Sequence, residues 1–217
     1  MSPGKFNASL NDVERLLGKI GFSPEREYSP DYASLPASVR HLTYVEQWQY
    51  FYKERIYDLK IFDSSLFQLQ RAPLSYSFIE CPFEIPSFSA FASRTSGTQQ
   101  EESATLRAEY ELFISSLEQR ATTPVRFDYD PKAYREGLHP AAHVHVGYRS
   151  NVRVATERLL SPMSFILLIL RQCYPDHWAK LQGTAEIVCR RGEIRTNLTK
   201  IESTFRRSGD FDEMYLV

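Results

Sequence analysis

Three of the five histidines fall within seven residues, in the run His139-Pro140-Ala141-Ala142-His143-Val144-His145-Val146-Gly147. Shortly before it stands Arg126-Phe127-Asp128-Tyr129-Asp130-Pro131. Successive side chains of a strand point to opposite faces, so His143 and His145 share one face of a strand, and Arg126, Asp128 and Asp130 share one face of another. Val125, Phe127 and Tyr129 in the first segment and Ala142, Val144 and Val146 in the second then agree about which side is dry. The other side gathers imidazoles, carboxylates and a guanidinium, with Arg153 and Thr156 expected from the following strand. The candidate catalytic set is His143, His145, His139, Arg126, Asp128 and Arg153.

Several chemistries use such a set. Cleavage of a phosphodiester needs a base, an acid and a cation on the charged phosphorus centre, and no metal if the histidines move the protons. His143 or His145 would act as acid and base, since an unperturbed imidazole titrates near neutral pH. Arg126 or Arg153 would hold the phosphate, with Tyr129 or Tyr148 nearby. A second version places Zn²⁺ or Fe²⁺ on His143 and His145, with Asp128 or His139 as third ligand. Familiar metal patterns nevertheless fail: Arg149 stands where a cupin needs Glu, and Thr156 stands where a zinc isopeptidase needs Asp. The Asp-His that a metallo-β-lactamase needs immediately downstream is absent, as are the hydroxyl residues of the two-histidine phosphoesterases. A third version has no chemistry: Asp128 or Asp130 orients the histidines and Arg126 across strands, and the polar face binds a partner. An enzyme predicts a concave pocket in which Arg126 or Arg153 approaches the imidazoles, whereas a binding module predicts histidines without converging partners. The leading expectation is a nuclease-like protein acting on phosphodiesters without a cofactor, and the alternative is a non-enzymatic subunit of a complex.

The elements that must position these residues are legible as periodicities. A chain of 217 residues with 14 Phe, 13 Tyr and nine Gly predicts one packed domain, with 1–40 as N-terminal helix and loop, 41–175 as core and 176–217 as a basic C-terminal segment. Capping-box pairs Asn11/Glu14, Thr43/Glu46 and Thr98/Glu101 predict helices from those points, the last running to about residue 119. Tyr57–Phe62 and Leu66–Gln70 read as a hairpin, with a third strand over Leu74–Cys81. The segment Pro82–Gly97 reads as an ordered loop or a flap. Val125–Asp130, Ala142–Gly147 and Val152–Thr156 read as further strands, and Ser161-Pro162 opens an apolar helix over Met163–Cys173. In the tail, Asp176 is expected to cap a short turn, residues 193–206 to be helical and Asp212–Val217 to form a last strand. The fold class is α+β, a mostly antiparallel sheet with helices packed chiefly on one face.

The remaining composition narrows the partners. Net charge is about −1, so a nucleic-acid surface must be local. Between residues 180 and 207 seven Lys or Arg face three Glu, and Lys180, Arg190, Arg191, Arg195 and Lys200 are the expected polyanion contacts. Cys81, Cys173 and Cys189 are too few and too widely spaced for a disulfide framework and read as reduced. No window approaches about eighteen apolar residues and the first residues lack the apolar core of a signal peptide, so no membrane is expected and the default address is the cytoplasm.

His139, Pro140, His143, His145 and Gly147, followed by Arg153 in a strand and by Pro162 and Phe165 opening an apolar helix, form a pattern that resembles an uncharacterised family of bacterial proteins, a domain of unknown function. The hairpin Asp63-Ser64-Ser65-Leu66-Phe67-Gln68 also resembles that family, and the likeness covers most of the chain. Its members look like components of mobile or defence-associated gene neighbourhoods. The resemblance therefore implies a toxin-like nuclease or an accessory protein partner within a bacterial complex, and it brings no known reaction or ligand.

Overall fold

The computed structural model describes residues 2–27, 32, 35–84, 91–92, 103–117, 119–149, 152–190, 192, 198–210 and 215–216. Their centre is an eight-stranded sheet in the order β1 (Glu25–Arg26), β2 (Leu59–Lys60), β3 (Leu66–Gln70), β4 (Leu74–Ile79), β5 (Val125–Tyr129), β6 (Ala142–Val146), β7 (Val152–Thr156) and β10 (Tyr215–Leu216). Seven strands pair antiparallel, and β10 adds parallel to β7 opposite Ala155 and Thr156. A separate pair joins β8 (Arg158–Leu159) to β9 (Thr199–Lys200).

One face of the sheet is dry. Phe67 and Leu69 of β3, Tyr76 and Phe78 of β4, Phe127 of β5 and Val144 of β6 are buried there, as the alternation predicts. Two helices cover them. The first, α1 (Pro3–Lys19), presents Phe6, Leu10, Val13, Leu16 and Leu17, and α4 (Pro162–Cys173) is buried along nearly its whole length from Met163 to Leu170. Ser161 and Ser164 form the capping box that starts α4, so an apolar segment with few polar competitors still begins at a defined residue. Two short helices, α5 (Pro175–Leu181) and α6 (Ala185–Val188), add Trp178, Leu181 and Ile187 to the same cluster.

The opposite face is dry only at one end. There α2 (Tyr44–Lys53), started by the Thr43/Glu46 capping box, buries Trp48 and Phe51 over Leu66 and Ile79. Ile114 of α3 (Ser103–Ser115) joins that second cluster. Helices thus lie chiefly on one face, and among the described residues no helix covers the β5–β7 end of the other face. Among the described residues no helix is long and apolar enough to cross a membrane.

Several boundaries differ from the expectations. Helix α1 begins at Pro3 behind an N-cap at Ser2, and the Asn11 and Glu14 side chains are engaged elsewhere: Arg26 Nη1 donates to Asn11 Oδ1 at 2.6 Å and to Glu14 Oε2 at 3.0 Å. The helix still stops where Gly21 takes a φ of +82°, a conformation that a side chain disfavours. Tyr174, rather than Asp176, occupies the position before α5, where Pro175 fits the first turn without needing a donor. Residues 198–206 form β9 and a 3₁₀ turn at Ser203–Phe205 in place of a helix, because Thr199 and Lys200 pair with the strand that follows β7. Residues 193–197, 98–102 and most of 85–97 lie outside the described set, as does part of the last segment. All three cysteines are free, and burial pushes the Cys81 thiol up to about 12 and the Cys173 thiol to about 11.

Helix α1 is therefore a wall of the main core. Leu17→Ala should lower the free energy of urea unfolding by about 2–5 kcal/mol, whereas Arg15→Ala on the exposed side should stay within about 0.5 kcal/mol. Equal unfolding curves for the two variants would remove α1 from the core.

Candidate functional site

The uncovered polar face carries the histidines. In the β5–β6 register Asp128 lies opposite His143 and Arg126 opposite His145, and on the far side His145 lies opposite Arg153. Strand β4 brings Ser75 opposite Asp128 and Ser77 opposite Arg126. The expected agreement between the strands therefore holds, and both imidazoles are almost wholly buried, at 2 % and 4 % exposure.

Each polar group has a defined partner. His143 Nδ1 lies 2.9 Å from the Pro140 carbonyl, so that nitrogen carries the proton and donates. Its Nε2 is then an acceptor, and it faces His145 Nε2 at 2.9 Å. His145 Nε2 also lies 3.4 Å from Asp128 Oδ2. Asp128 in turn accepts from Ser75 Oγ at 2.7 Å and from Arg126 Nε at 2.7 Å. One ligand atom from each of Asp128, His143 and His145 can be chosen so that all three lie within 4.8 Å of one another.

The charges follow from these contacts. Burial pushes the His143 imidazole down to about 4, and the neighbouring His145 and Arg153 lower it further against the opposing pull of Pro140 and Asp128. His143 is thus neutral at physiological pH. Burial alone would raise the Asp128 carboxyl, but the His145 hydrogen bond, the Arg126 charge and Ser75 outweigh it and hold the group well below the usual carboxylate range. The face therefore presents one fixed anion and a neutral imidazole beside a guanidinium, and desolvated polar groups are tolerated because nearly all are bonded.

A cleft of about 610 Å³ opens over these groups and is lined by Arg126, Arg153, Lys132 and His139 as well as the three central residues. His139 stands edge-on to His143 with ring centroids 5.0 Å apart, and its buried Nδ1 has no hydrogen-bond partner among the described residues. Arg153 makes no ion pair among the described residues and is exposed. Arg126 and Arg153 thus line one concave cleft with the imidazoles.

The six candidate residues are thus brought to one cleft, three of them in mutual contact range. Asp130 lines the cleft only as a turn residue, since its Oδ1 accepts from the Lys132 and Ala133 backbone. Thr156 does not contribute: it falls on the other face of β7, buried, where its hydroxyl donates to the Arg158 carbonyl. Gly147 serves through its φ of +89°, because a Cβ there would meet nothing within 4 Å. Tyr148 hydrogen-bonds the Leu42 carbonyl and stands away from the imidazoles.

Two positioning features escaped the sequence reading. Ser75 was detectable as a polar alternate in Leu74-Ser-Tyr-Ser-Phe, on the face that carries Asp128. Asp210 was not detectable, being 73 residues from the Gly137 amide that it accepts at 2.7 Å. With Tyr134 Oη at 2.6 Å and the Arg207 amide at 2.8 Å, it pins the loop that delivers His139. Of the expected polyanion contacts, Lys180, Arg190 and Lys200 line no part of this cleft, and Arg191 and Arg195 lie outside the described residues.

No curated protein and no solved structure matches the chain. A family model described as an uncharacterized conserved protein, DUF2290, matches residues 23–208, a span that holds β1 to β9 and leaves out α1 and β10. The chain belongs to that family.

Proposed function

We propose that Asp128, His143 and His145 hold a divalent transition-metal ion and that the cleft hydrolyses phosphodiesters, as a nuclease-like effector would. The observation that carries this reading is the face-to-face approach of two imidazole Nε2 atoms at 2.9 Å beside a carboxylate oxygen at 3.4 Å. At metal–nitrogen distances of about 2.0–2.1 Å those nitrogens subtend about 90°, and a separation larger by less than about 0.5 Å reaches the tetrahedral angle. Acid–base catalysis without a metal is less well supported, because the two buried imidazoles spend their Nε2 atoms on each other instead of on a substrate.

The donor set suits the chemistry. Neutral His143 is held in the tautomer that leaves Nε2 free to ligate, and the Pro140 carbonyl fixes its ring. Ser75 and Arg126 orient Asp128 from outside the ligand set. A bound metal supplies a Lewis acid and a hydroxide nucleophile near neutral pH. The remaining nitrogens of Arg126 and the exposed Arg153 line the same cleft, where they would neutralise the pentavalent phosphorus centre. His139 lines the same cleft, where its imidazole would protonate a departing alkoxide.

Chelator-treated protein should take up one equivalent of Zn²⁺, Fe²⁺ or Mn²⁺ by calorimetric titration and then hydrolyse bis(4-nitrophenyl) phosphate. His143→Ala/His145→Ala should do neither, and Ser75→Ala should bind the metal about 10–100-fold more weakly. Wild-type protein that binds no metal and leaves the diester intact would end the proposal.

Metal at about 100 times its Kd should stabilise the fold by about 2.7 kcal/mol, a rise in Tm of roughly 5–10 °C for a domain of this size. Without metal the sign of the pH dependence follows from His143. Its folded pKa of about 4 lies below the ordinary value near 6.5, so in that window the unfolded chain binds a proton that the native state does not. The His143 contribution to apoprotein stability should therefore be full above about pH 6.5 and be lost toward about pH 4; Asp58, whose carboxyl burial pushes up to about 6, contributes with the opposite sign over part of that window, so the measure is the difference in slope between wild type and His143→Gln. An unchanged slope in the variant would show that His143 is not the titrating group.

A further inference from the structure

The histidine cleft is one end of a longer depression. Gln70, Ser75 and Arg126 are shared with a hollow of about 270 Å³ between α2 and the sheet, and that hollow shares Tyr44, Gln47, Arg126 and Tyr148 with a third of about 1060 Å³. Arg126 lines all three and joins them into one groove. Its polar floor has a simple origin: α2 stops short of β5–β7, so the outward residues of β3 and β4, Gln68, Gln70, Ser75 and Ser77, line an open trough.

The far end is cationic and aromatic. Arg40, His41, Arg126 and Arg149 line it, and among the described residues no carboxylate does. Arg40 and Arg149 are exposed and make no ion pair among the described residues. Tyr148 is 37 % exposed and is braced from behind by Tyr44, ring centroids 5.3 Å apart at 70°, and by its hydroxyl on the Leu42 carbonyl. Glu46, whose charge is felt at Tyr148, is turned onto the Thr43 backbone and hydroxyl at 2.7 and 2.8 Å. A fixed, half-exposed ring between unpaired arginines is the arrangement on which a base stacks while the backbone runs along positive charge.

We infer that single-stranded nucleic acid lies in this groove, with phosphates on Arg40, Arg149 and Arg126 and a base on Tyr148, and that the strand's next diester is thereby laid over Asp128, His143 and His145. The inference rests on the proposed diester-cleaving role of that centre. Burial decides between strand types: imidazoles at 2 % and 4 % exposure sit at the cleft floor, which a flexible strand reaches and the rigid backbone of a duplex does not.

The test separates the groove from the centre. Fluorescence anisotropy of a labelled single-stranded oligonucleotide is measured in EDTA, where no cleavage interferes. Arg40→Ala/Arg149→Ala should bind about tenfold more weakly, with the salt dependence of log K shallower by about 1.4 for two lost phosphate contacts. Lys180→Ala/Lys200→Ala removes equal charge elsewhere and should bind like wild type. Equal binding by both double variants, or a duplex bound as tightly as the single strand, overturns the inference even if bis(4-nitrophenyl) phosphate is hydrolysed. Binding that depends on Arg40 and Arg149 in a protein that cleaves no diester supports the groove and rejects the centre's chemistry.

Discussion

The register between β5 and β6 is the constraint on which the rest depends. Asp128 opposite His143 and Arg126 opposite His145 put acid, bases and guanidinium side by side, and the same pairing puts Phe127 opposite Val144 on the dry face. Side chains alternate with a period of two, so a slip of one residue in either strand would drive its two polar groups into the core and expose its apolar ones. Phe127, in contact with Tyr76 at 5.7 Å between ring centroids, and Tyr76 with Phe165 of α4 at the same distance, make that slip costly. The chemistry of one face is thus specified by the packing of the other.

Burial sets the electrostatics in a way that exposed residues of the same types would not share. A solvated Asp–His–His row would exchange protons freely around neutral pH. Here desolvation keeps His143 neutral, while three hydrogen-bonding or charged neighbours keep Asp128 ionised despite its burial. Two nitrogens and an oxygen then converge with less than their full complement of protons, and a divalent cation is the species that such a gap between donors favours. Arg126 has a double role: its Nε fixes the carboxylate, and its remaining nitrogens belong to the cleft and the groove.

What was legible in the sequence was local. Two-residue alternation put Arg126, Asp128, His143 and His145 on one face, and the Thr43/Glu46 and Ser161-Pro162 signals marked helix starts that the structure retains. Where local reasoning failed, a distant partner had won. The Asn11/Glu14 pair looked like a cap until Arg26, on β1, took both side chains. Thr156 was grouped with Arg153 although an odd spacing sets them on opposite faces. Ser75 and Asp210 act on the site across 53 and 73 residues of sequence, separations at which no periodicity speaks. That α2 shields only half of the polar face, and so leaves a groove, depends on where the second cluster packs and on nothing within α2 itself.

Charge counting along the chain misleads for a related reason. The C-terminal segment looks like a cationic tail, yet Arg206 pairs with Glu157 and Arg207 approaches Glu136 at 3.8 Å. Those two charges fasten the tail to the residue after β7 and to the loop of His139, which Asp210 anchors at the same place. Among the described residues Arg40, Arg149 and Arg153 make no ion pair; Arg40 and Arg149 line one end of the groove and Arg153 lines the histidine cleft. In a molecule of net charge near −1, long-range attraction of a polyanion is weak. A polyanion held in the proposed groove would therefore depend on short-range contacts within a Debye length of about 8–10 Å, for which Arg40, Arg149 and Arg126 line one end and Arg126 and Arg153 the other.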